Sequence, residues 1–336
     1  MSQGLFYCML LAFQFGLQPK IAKVFQNENI NKSSIVIVTE LTKIFIAAIT
    51  LPLESDKEKR NIVENWNIRN SITIAALPAI LYAIQNLTTQ YAYQLIDPMT
   101  FNLLNQTKTL AAAFWLYIIM GQKQTYIQVF ALILLLVAAF ILTSKDINNF
   151  EDIFSMININ SESIDIKIFS DLASLGNTGL GILLVILASM ISGISTALTQ
   201  KTLQIAAKGK GRNSIFLSAE MAVYAIPFLI ISDKLNSNKN SIKLGSDNFF
   251  AHWNILTFIP VLCNAFGGII VGLVTKYAGG VKKGFALIAG LLITAFASWI
   301  IDKKKLRVND WLALIIVAIS IYLHSAKFDE KKEKVA

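Results

Sequence analysis

Long apolar runs follow one another along almost the whole chain, separated by short polar connections. A helix needs about 20 mostly apolar residues to cross a bilayer. On that rule ten runs are candidate spans, approximately Leu5 to Phe25, Ser33 to Leu53, Ile72 to Leu95, Met99 to Met120, Tyr126 to Thr143, Thr178 to Leu203, Ser214 to Ile231, Trp253 to Tyr277, Val281 to Ile301 and Trp311 to His324. A barrel would show short alternating segments instead. The pattern therefore predicts an all-α membrane protein with ten transmembrane helices.

The connections carry their own signals. Glu54 to Asn70 is charged, and Asp97-Pro98 reads as a tight turn, since Asp caps helices and Pro suits a first turn. Gly121 to Thr125 is a short turn, Lys208 to Arg212 a basic one, Ser232 to Asp247 a polar, mobile connection, and Ala278-Gly279-Gly280 a break. The longest non-apolar stretch, Ser144 to Asn177, divides the chain. Residues 1-143 form a first five-helix half, 144-177 the mid-chain connection, 178-326 a second five-helix half and 327-336 a charged tail.

The fourth and ninth runs can be overlaid: Phe114 to Lys123 reads FWLYIIMGQK and Phe296 to Lys305 reads FASWIIDKKK. Each run has a lysine near its start, Lys108 and Lys283. An odd number of spans per half would make the copies two inverted five-helix repeats, the architecture of a transporter with a central site. An even total puts both termini on one side. If that side is cytosolic, the cytosolic connections carry more Lys and Arg than the opposite ones, as expected; Lys303, Lys304, Lys305 and Arg307 run against the bias.

Composition agrees with the runs. The 336 residues are 54% hydrophobic and only 15% charged, with mean hydropathy +0.56, whereas soluble domains carry about 25% charged residues. The net charge of +9 lies mostly in connections, where it sets topology, so nucleic acid is not an expected partner. Cys8 and Cys263 lack metal-ligand spacing, and His252 and His324 are isolated. The apolar N-terminus shows no evident cleavage site and reads as a first span.

Against this apolar background Tyr82 to Lys108 stands out, with Gln85, Asn86, Gln90, Gln94, Asn102, Asn105, Gln106 and Lys108. A polar group in hydrocarbon needs a partner or a water-filled cavity. A lone Lys108 would snorkel to the headgroups. Its neighbours Asn102, Asn105, Gln106 and Thr109 make its helix face polar, however, and Tyr82, Gln85 and Asn86 form a polar strip at i, i+3 and i+4 on the preceding helix. Two facing strips imply a wet cavity, in which a cation suits an anion such as phosphate.

Three further groups are candidates. Lys276, Lys282 and Lys283 flank the glycine break, where a helix start offers free N–H groups and a positive dipole end; a basic cytosolic turn reads equally well. Ser195 and Thr196 either point into the bundle or bond their own backbone. Ser218, Glu220 and Tyr224 share the seventh run, where Glu220 faces the cavity or pairs with a lysine. Glu40 and Lys43, three apart in the second run, can neutralise each other.

YAIQN (Tyr82 to Asn86), NQTK (Asn105 to Lys108) and KYAGGVKKGF (Lys276 to Phe285) resemble the signature segments of the nucleotide-sugar transporters, within the drug/metabolite transporter superfamily. The resemblance covers most of the chain, including Glu40 and Lys43. It implies two inverted five-helix halves around a central cavity and exchange of cytosolic nucleotide sugar for lumenal nucleoside monophosphate, without a cofactor. It implies that Tyr82, Gln85 and Asn86 line the cavity, that Lys108 and Lys283 meet the phosphates, and that Lys276 is a further basic position. Phe101 and Asn105 replace tyrosines of the CMP-sialic acid carriers, and Ser218 and Glu220 replace their Asn and Gln, which argues against cytosine. FNLLNQTKT and GGIIVGLVTKYAGGVKKGF are closer to plant-type carriers of UDP-N-acetylhexosamines.

The expectation is therefore an antiporter of UDP-N-acetylglucosamine or UDP-N-acetylgalactosamine against UMP, in a Golgi or endoplasmic reticulum membrane, with both termini cytosolic. A CMP-sialic acid or UDP-galactose transporter and a non-nucleotide metabolite exporter are the alternatives, and a homodimer stays open. A membrane-embedded transferase would need an acidic or metal site, and none is evident in the sequence. The end Lys332-Glu333-Lys334-Val335-Ala336 reads either as a charged tail or as a dilysine retrieval signal facing the cytosol.

Overall fold

The structure is a computed structural model and describes residues 3–27, 30–96, 101, 104–143, 177–204, 212–237, 249–301, 303 and 308–325. Among these residues all regular structure is helical. The helices are α1 (Gln3–Phe25), α2 (Lys32–Thr50), α3 (Asp56–Asn65), α4 (Leu77–Leu95), α5 (Lys108–Met120), α6 (Tyr126–Thr143), α7 (Asn177–Gln204), α8 (Ser214–Ser237), α9 (Phe258–Tyr277), α10 (Gly280–Ile301) and α11 (Val308–Ser325). Seven stretches are long and apolar enough to cross a membrane, and three shorter apolar helices, Lys108–Met120, Tyr126–Ile141 and Val308–His324, accompany them. Phe13, Phe45, Phe130 and Tyr322 are exposed on the outside, which suits acyl chains as surroundings. This is a multi-pass membrane protein. The mid-chain connection up to residue 176, the Asp97-Pro98 turn, the basic turn after α7 up to residue 211, most of the connection after α8 and the tail lie outside the described residues.

Three local features differ from the sequence pattern. The fourth run does not form one helix from Met99. Residues 104 and 105 are helical, 106 and 107 turn, and α5 starts at Lys108. Thr107 holds the turn: its hydroxyl reaches Leu104 O at 2.6 Å and Ser189 Oγ of α7 at 3.0 Å. The charged connection after α2 contains α3, whose N-cap Ser55 accepts from Glu58 N–H. The chain then enters α4 through Ile68–Ser71 and a π-helical turn, Ile72–Ala76. Pro78 lacks an N–H and crowds the preceding turn, so the ladder widens there.

Two helices begin in the same way. Asn31 Oδ1 accepts from the N–H groups of Ser33 and Ser34 at the start of α2. Asn213 Oδ1 accepts from those of Ile215 and Phe216 at the start of α8. Each cap satisfies first-turn donors that would otherwise be unpaired.

Packing then joins the two halves of the chain. α4 lies along α7 and α1 along α9; α5 packs on α7 and α10 on α1; α2 meets both α8 and α9, and α8 also meets α4. α6 packs against α11. The largest apolar cluster fills the space between α5, α6, α10 and α11, around Leu116, Leu135, Ile288 and Leu292. Small residues allow the closest approaches: a Cβ on Gly16 of α1 would collide with Gly290 and Ile293 of α10, and one on Gly193 of α7 with Ala111 and Trp115 of α5.

Candidate functional site

A cavity of about 290 Å³ lies between α2, α4, α7, α8, α9 and α10. On α4 its wall is Ala79, Tyr82, Ala83 and Asn86; on α9 it is Gly268, Val271, Gly272 and Thr275. Both stripes have the i, i+3, i+4, i+7 spacing of one helix face. The small residues keep the space open, while Tyr82, Asn86 and Thr275 supply polar groups. Ser218 of α8 lines it too. Its own hydroxyl donates to Ser214 O at 2.9 Å.

Cations come from two sides. Lys283, in the first turn of α10, lines the cavity. Its Nζ donates to Thr196 Oγ1 at 3.0 Å and lies 6.0 Å from the centre of the Tyr82 ring. Tyr82 OH also pairs with Thr196 Oγ1, at 3.1 Å. One hydroxyl of α7 thus ties α4 to α10. On α2, Lys43 Nζ donates to Glu40 Oε1 at 2.6 Å, and both side chains line the cavity. The Lys43 stem passes where a Cβ on Gly268 would be. Sequence reasoning had read this pair only as self-neutralising; two opposite charges inside an apolar run were the signal that they face a polar space.

Lys108 is the first residue of α5, and Lys283 lies in the first turn of α10. The helix starts meet where Thr109 fills the room left by Gly284; a Cβ there would collide with the Thr109 side chain. Lys108 is half-buried beside the cavity and not in its wall. The two lysines that the sequence singled out in separate halves are thus neighbours.

The remaining sequence candidates lie elsewhere. Gln85 Nε2 donates to Thr89 Oγ1 at 3.1 Å along α4. Ser195 is fully buried and its hydroxyl donates to Ile191 O at 3.0 Å, the back-bonded alternative. Phe101 packs with Ala92, Ile96 and Val185 in an apolar cluster. Asn105 is half-buried ahead of the Thr107 turn and is not in the cavity wall. Lys276 lies 5.6 Å over the Tyr277 ring, outside the wall.

Glu220 is 7% exposed and faces away from the cavity. Its Oε1 accepts from Arg212 Nη2 at 2.7 Å, Trp66 Nε1 at 2.8 Å and Ser71 Oγ at 2.9 Å. Tyr224 OH donates in turn to Ser71 Oγ at 3.1 Å. The expected lysine partner of Glu220 is instead an arginine, Arg212, and the cluster fastens α8 to the chain entering α4. A second tryptophan has a similar place before α9: Trp253 Nε1 donates to Ser34 Oγ of α2 at 2.9 Å.

The model of the nucleotide-sugar transporter family matches residues 4–325. The chain is 35% identical to UDP-N-acetylglucosamine transporter ROCK1 of Arabidopsis thaliana over 98% of its own length and 95% of that protein's. It is 23% identical to the probable UDP-sugar transporter protein SLC35A4 of Xenopus tropicalis, over 88% and 82% of the two chains. CMP-sialic acid transporter 2 of Oryza sativa subsp. indica is also 23% identical, over 76% and 64%. One crystal structure superposes on 96% of this chain and 95% of its own with TM-score 0.65 at 8% identity, a likeness of fold alone.

Proposed function

The chain belongs to the nucleotide-sugar transporter family, and from that premise we propose that it exchanges a cytosolic UDP-sugar for lumenal UMP by alternating access. UDP-N-acetylglucosamine or UDP-N-acetylgalactosamine is the favoured cargo, since a relative of 35% identity is named for the first of these. The family's members are transporters and not enzymes. The observation that carries the reading is the contact of Thr109 with Gly284, which brings the helix starts that bear Lys108 and Lys283 together beside a cavity lined by Lys283, Tyr82 and Asn86. Two cations with no carboxylate partner among the described residues, next to a partly polar cavity, favour a ligand with two negative charges, as a pyrophosphate has.

Alternating access needs two halves that can rock about the site. Support for ten crossings in two inverted five-helix halves comes from the packing partners. Exchanging α1, α2, α4, α5 and α6 with α7, α8, α9, α10 and α11 turns the α4–α7 contact into α9–α1, α5–α7 into α10–α1 and α2–α9 into α8–α4, all of which occur. The cavity volume lies at the small end of the roughly 300–1,000 Å³ range of ligand pockets, so a whole nucleotide sugar enters a more open form. The membrane is that of the Golgi or endoplasmic reticulum, with both termini cytosolic.

The test is exchange in proteoliposomes preloaded with UMP. Lys108→Ala and Lys283→Ala proteins insert normally and lose uptake of UDP-N-acetylglucosamine. Retained uptake in both variants overturns the phosphate assignment. Thermal stabilisation by UMP and not CMP identifies the base; stabilisation by CMP alone moves the cargo to the CMP-sialic acid alternative.

A further inference from the structure

The two adjacent lysines at the start of α10 serve different cavities. Lys283 lines the central one. Lys282, about 100° away around the helix, lines another of about 380 Å³. α7 is the wall between them: Thr199 and Leu203 face the central cavity, Gln200 and Gln204 the second. Hydrogen bonds close that wall. Gln200 Oε1 accepts from Gly280 N–H at 2.6 Å, and Gln200 Nε2 donates to Gln122 Oε1 at 3.1 Å. Gln204 Nε2 donates to the carbonyls of Thr275 and Lys276 at the end of α9.

The second cavity is polar and of one sign. Lys123 and Lys282 contribute positive charge, and among the described residues no carboxylate lines it. The N-terminus of α10, a helix of 22 residues, opens into it. First-turn amides have no acceptor within their helix. Gln200 takes that of Gly280, and Lys283 N–H donates to Gly279 O. The amides of Val281 and Lys282, both in the lining, are left for an outside acceptor. Gly279, at φ 93°, makes the turn that exposes them.

Two buried polar atoms point to a missing partner. Gln124 Oε1 and His324 Nε2, both from lining residues, have no hydrogen bond among the described residues, and His324 is only 7% exposed. Buried polar atoms of native proteins are almost always paired. A helix N-terminus, two lysines, an imidazole nitrogen and an amide that can present its NH2 end are together the donor set for a phosphate monoester.

We propose that this cavity is a second phosphate-binding site, distinct from the transport cavity and taking a phosphate monoester that is either free in solution or part of a lipid headgroup. The site does not depend on the transport reading and would stand if the central cargo were another metabolite. An occupant would join the turn between α5 and α6 to the start of α10 and the end of α11, and so link the two halves of the chain.

The experiment is thermal unfolding of the purified full chain with and without inorganic phosphate, at constant ionic strength. Phosphate is expected to raise the melting temperature of the wild type and of Lys283→Ala, but not of the double variant Lys123→Ala/Lys282→Ala. Lys123→Arg/Lys282→Arg keeps the charge and retains the shift. A parallel arm uses nanodiscs of phosphatidylcholine with or without phosphatidylinositol 4-phosphate. Stabilisation by that lipid alone, lost in the double alanine variant, assigns the phosphate to a headgroup. An undiminished phosphate shift in the double alanine variant, or no shift in either arm, overturns the site. Loss of the phosphate shift only in Lys283→Ala also overturns it, while leaving the transport reading intact.

Discussion

Single residues show how much one hydroxyl or carboxylate can organise. Thr196 Oγ1 accepts from Lys283 and pairs with Tyr82. A lysine has three N–H donors; one spent on Thr196 fixes the ammonium and leaves two for an anion. Thr196→Val keeps the shape and removes the anchor. A net hydrogen bond is worth about 0.5–1.5 kcal/mol, so the half-saturating UMP concentration in exchange assays should rise by about two- to tenfold, and Thr196→Ser should restore it. Glu220 differs from this. Its partners Arg212, Trp66 and Ser71 fasten helices, and it is absent from the cavity wall. Arg212→Met strands a buried carboxylate, which costs about 3–5 kcal/mol. The melting temperature should fall sharply, and much less in Arg212→Met/Glu220→Gln, while the half-saturating UMP concentration stays near wild type. The sequence had marked Thr196 and Glu220 alike as polar residues in apolar runs. Which one bonds the cavity-lining side chains depended on helix rotation, which a helix with weak amphipathicity does not reveal.

At the scale of elements, glycine positions set how close helices come. Gly284 and Thr109 bring the starts of α5 and α10 together, and with them Lys108 and Lys283. Gly284→Val should push those starts apart, lower the melting temperature and reduce exchange. Adding Thr109→Ala should recover part of both, because it removes the atoms in the way; no recovery would mean that the contact does not set the spacing. The run from Met99 to Met120 looked like one helix in the sequence, since Gln106 and Thr107 do not break helices by propensity. The turn forms because Thr107 finds Ser189 on α7, a partner 82 residues away that no local signal announces. The Ala278-Gly279-Gly280 break was legible for the opposite reason: only glycine adopts φ 93° readily.

Over the whole molecule, two tryptophans hold the halves together at opposite ends. Trp66 follows α3 and bonds Glu220 of α8; Trp253 precedes α9 and bonds Ser34 at the start of α2. The clamps share no partner, since one bonds Glu220 and the other Ser34. Trp66→Phe and Trp253→Phe should each lower the melting temperature, and the double variant should lose the sum of the two effects. A loss well short of the sum would mean that the two ends yield as one unit. If the halves rock, each clamp must release when its own end opens.

The sequence by itself determined the membrane class, the run of helices and the residues that could not be ordinary core. These follow from composition and from the cost of polar groups in hydrocarbon, both local properties. It also carried, through short motifs, the resemblance to a transporter family that the comparisons then established. Only the tertiary structure decided which polar residues meet. Lys108 and Lys283 are 175 positions apart in the chain, and Lys282 and Lys283 are neighbours that face different cavities. Separation along the chain says nothing of packing between helices, and adjacent positions on a helix point in different directions because each residue turns by about 100°.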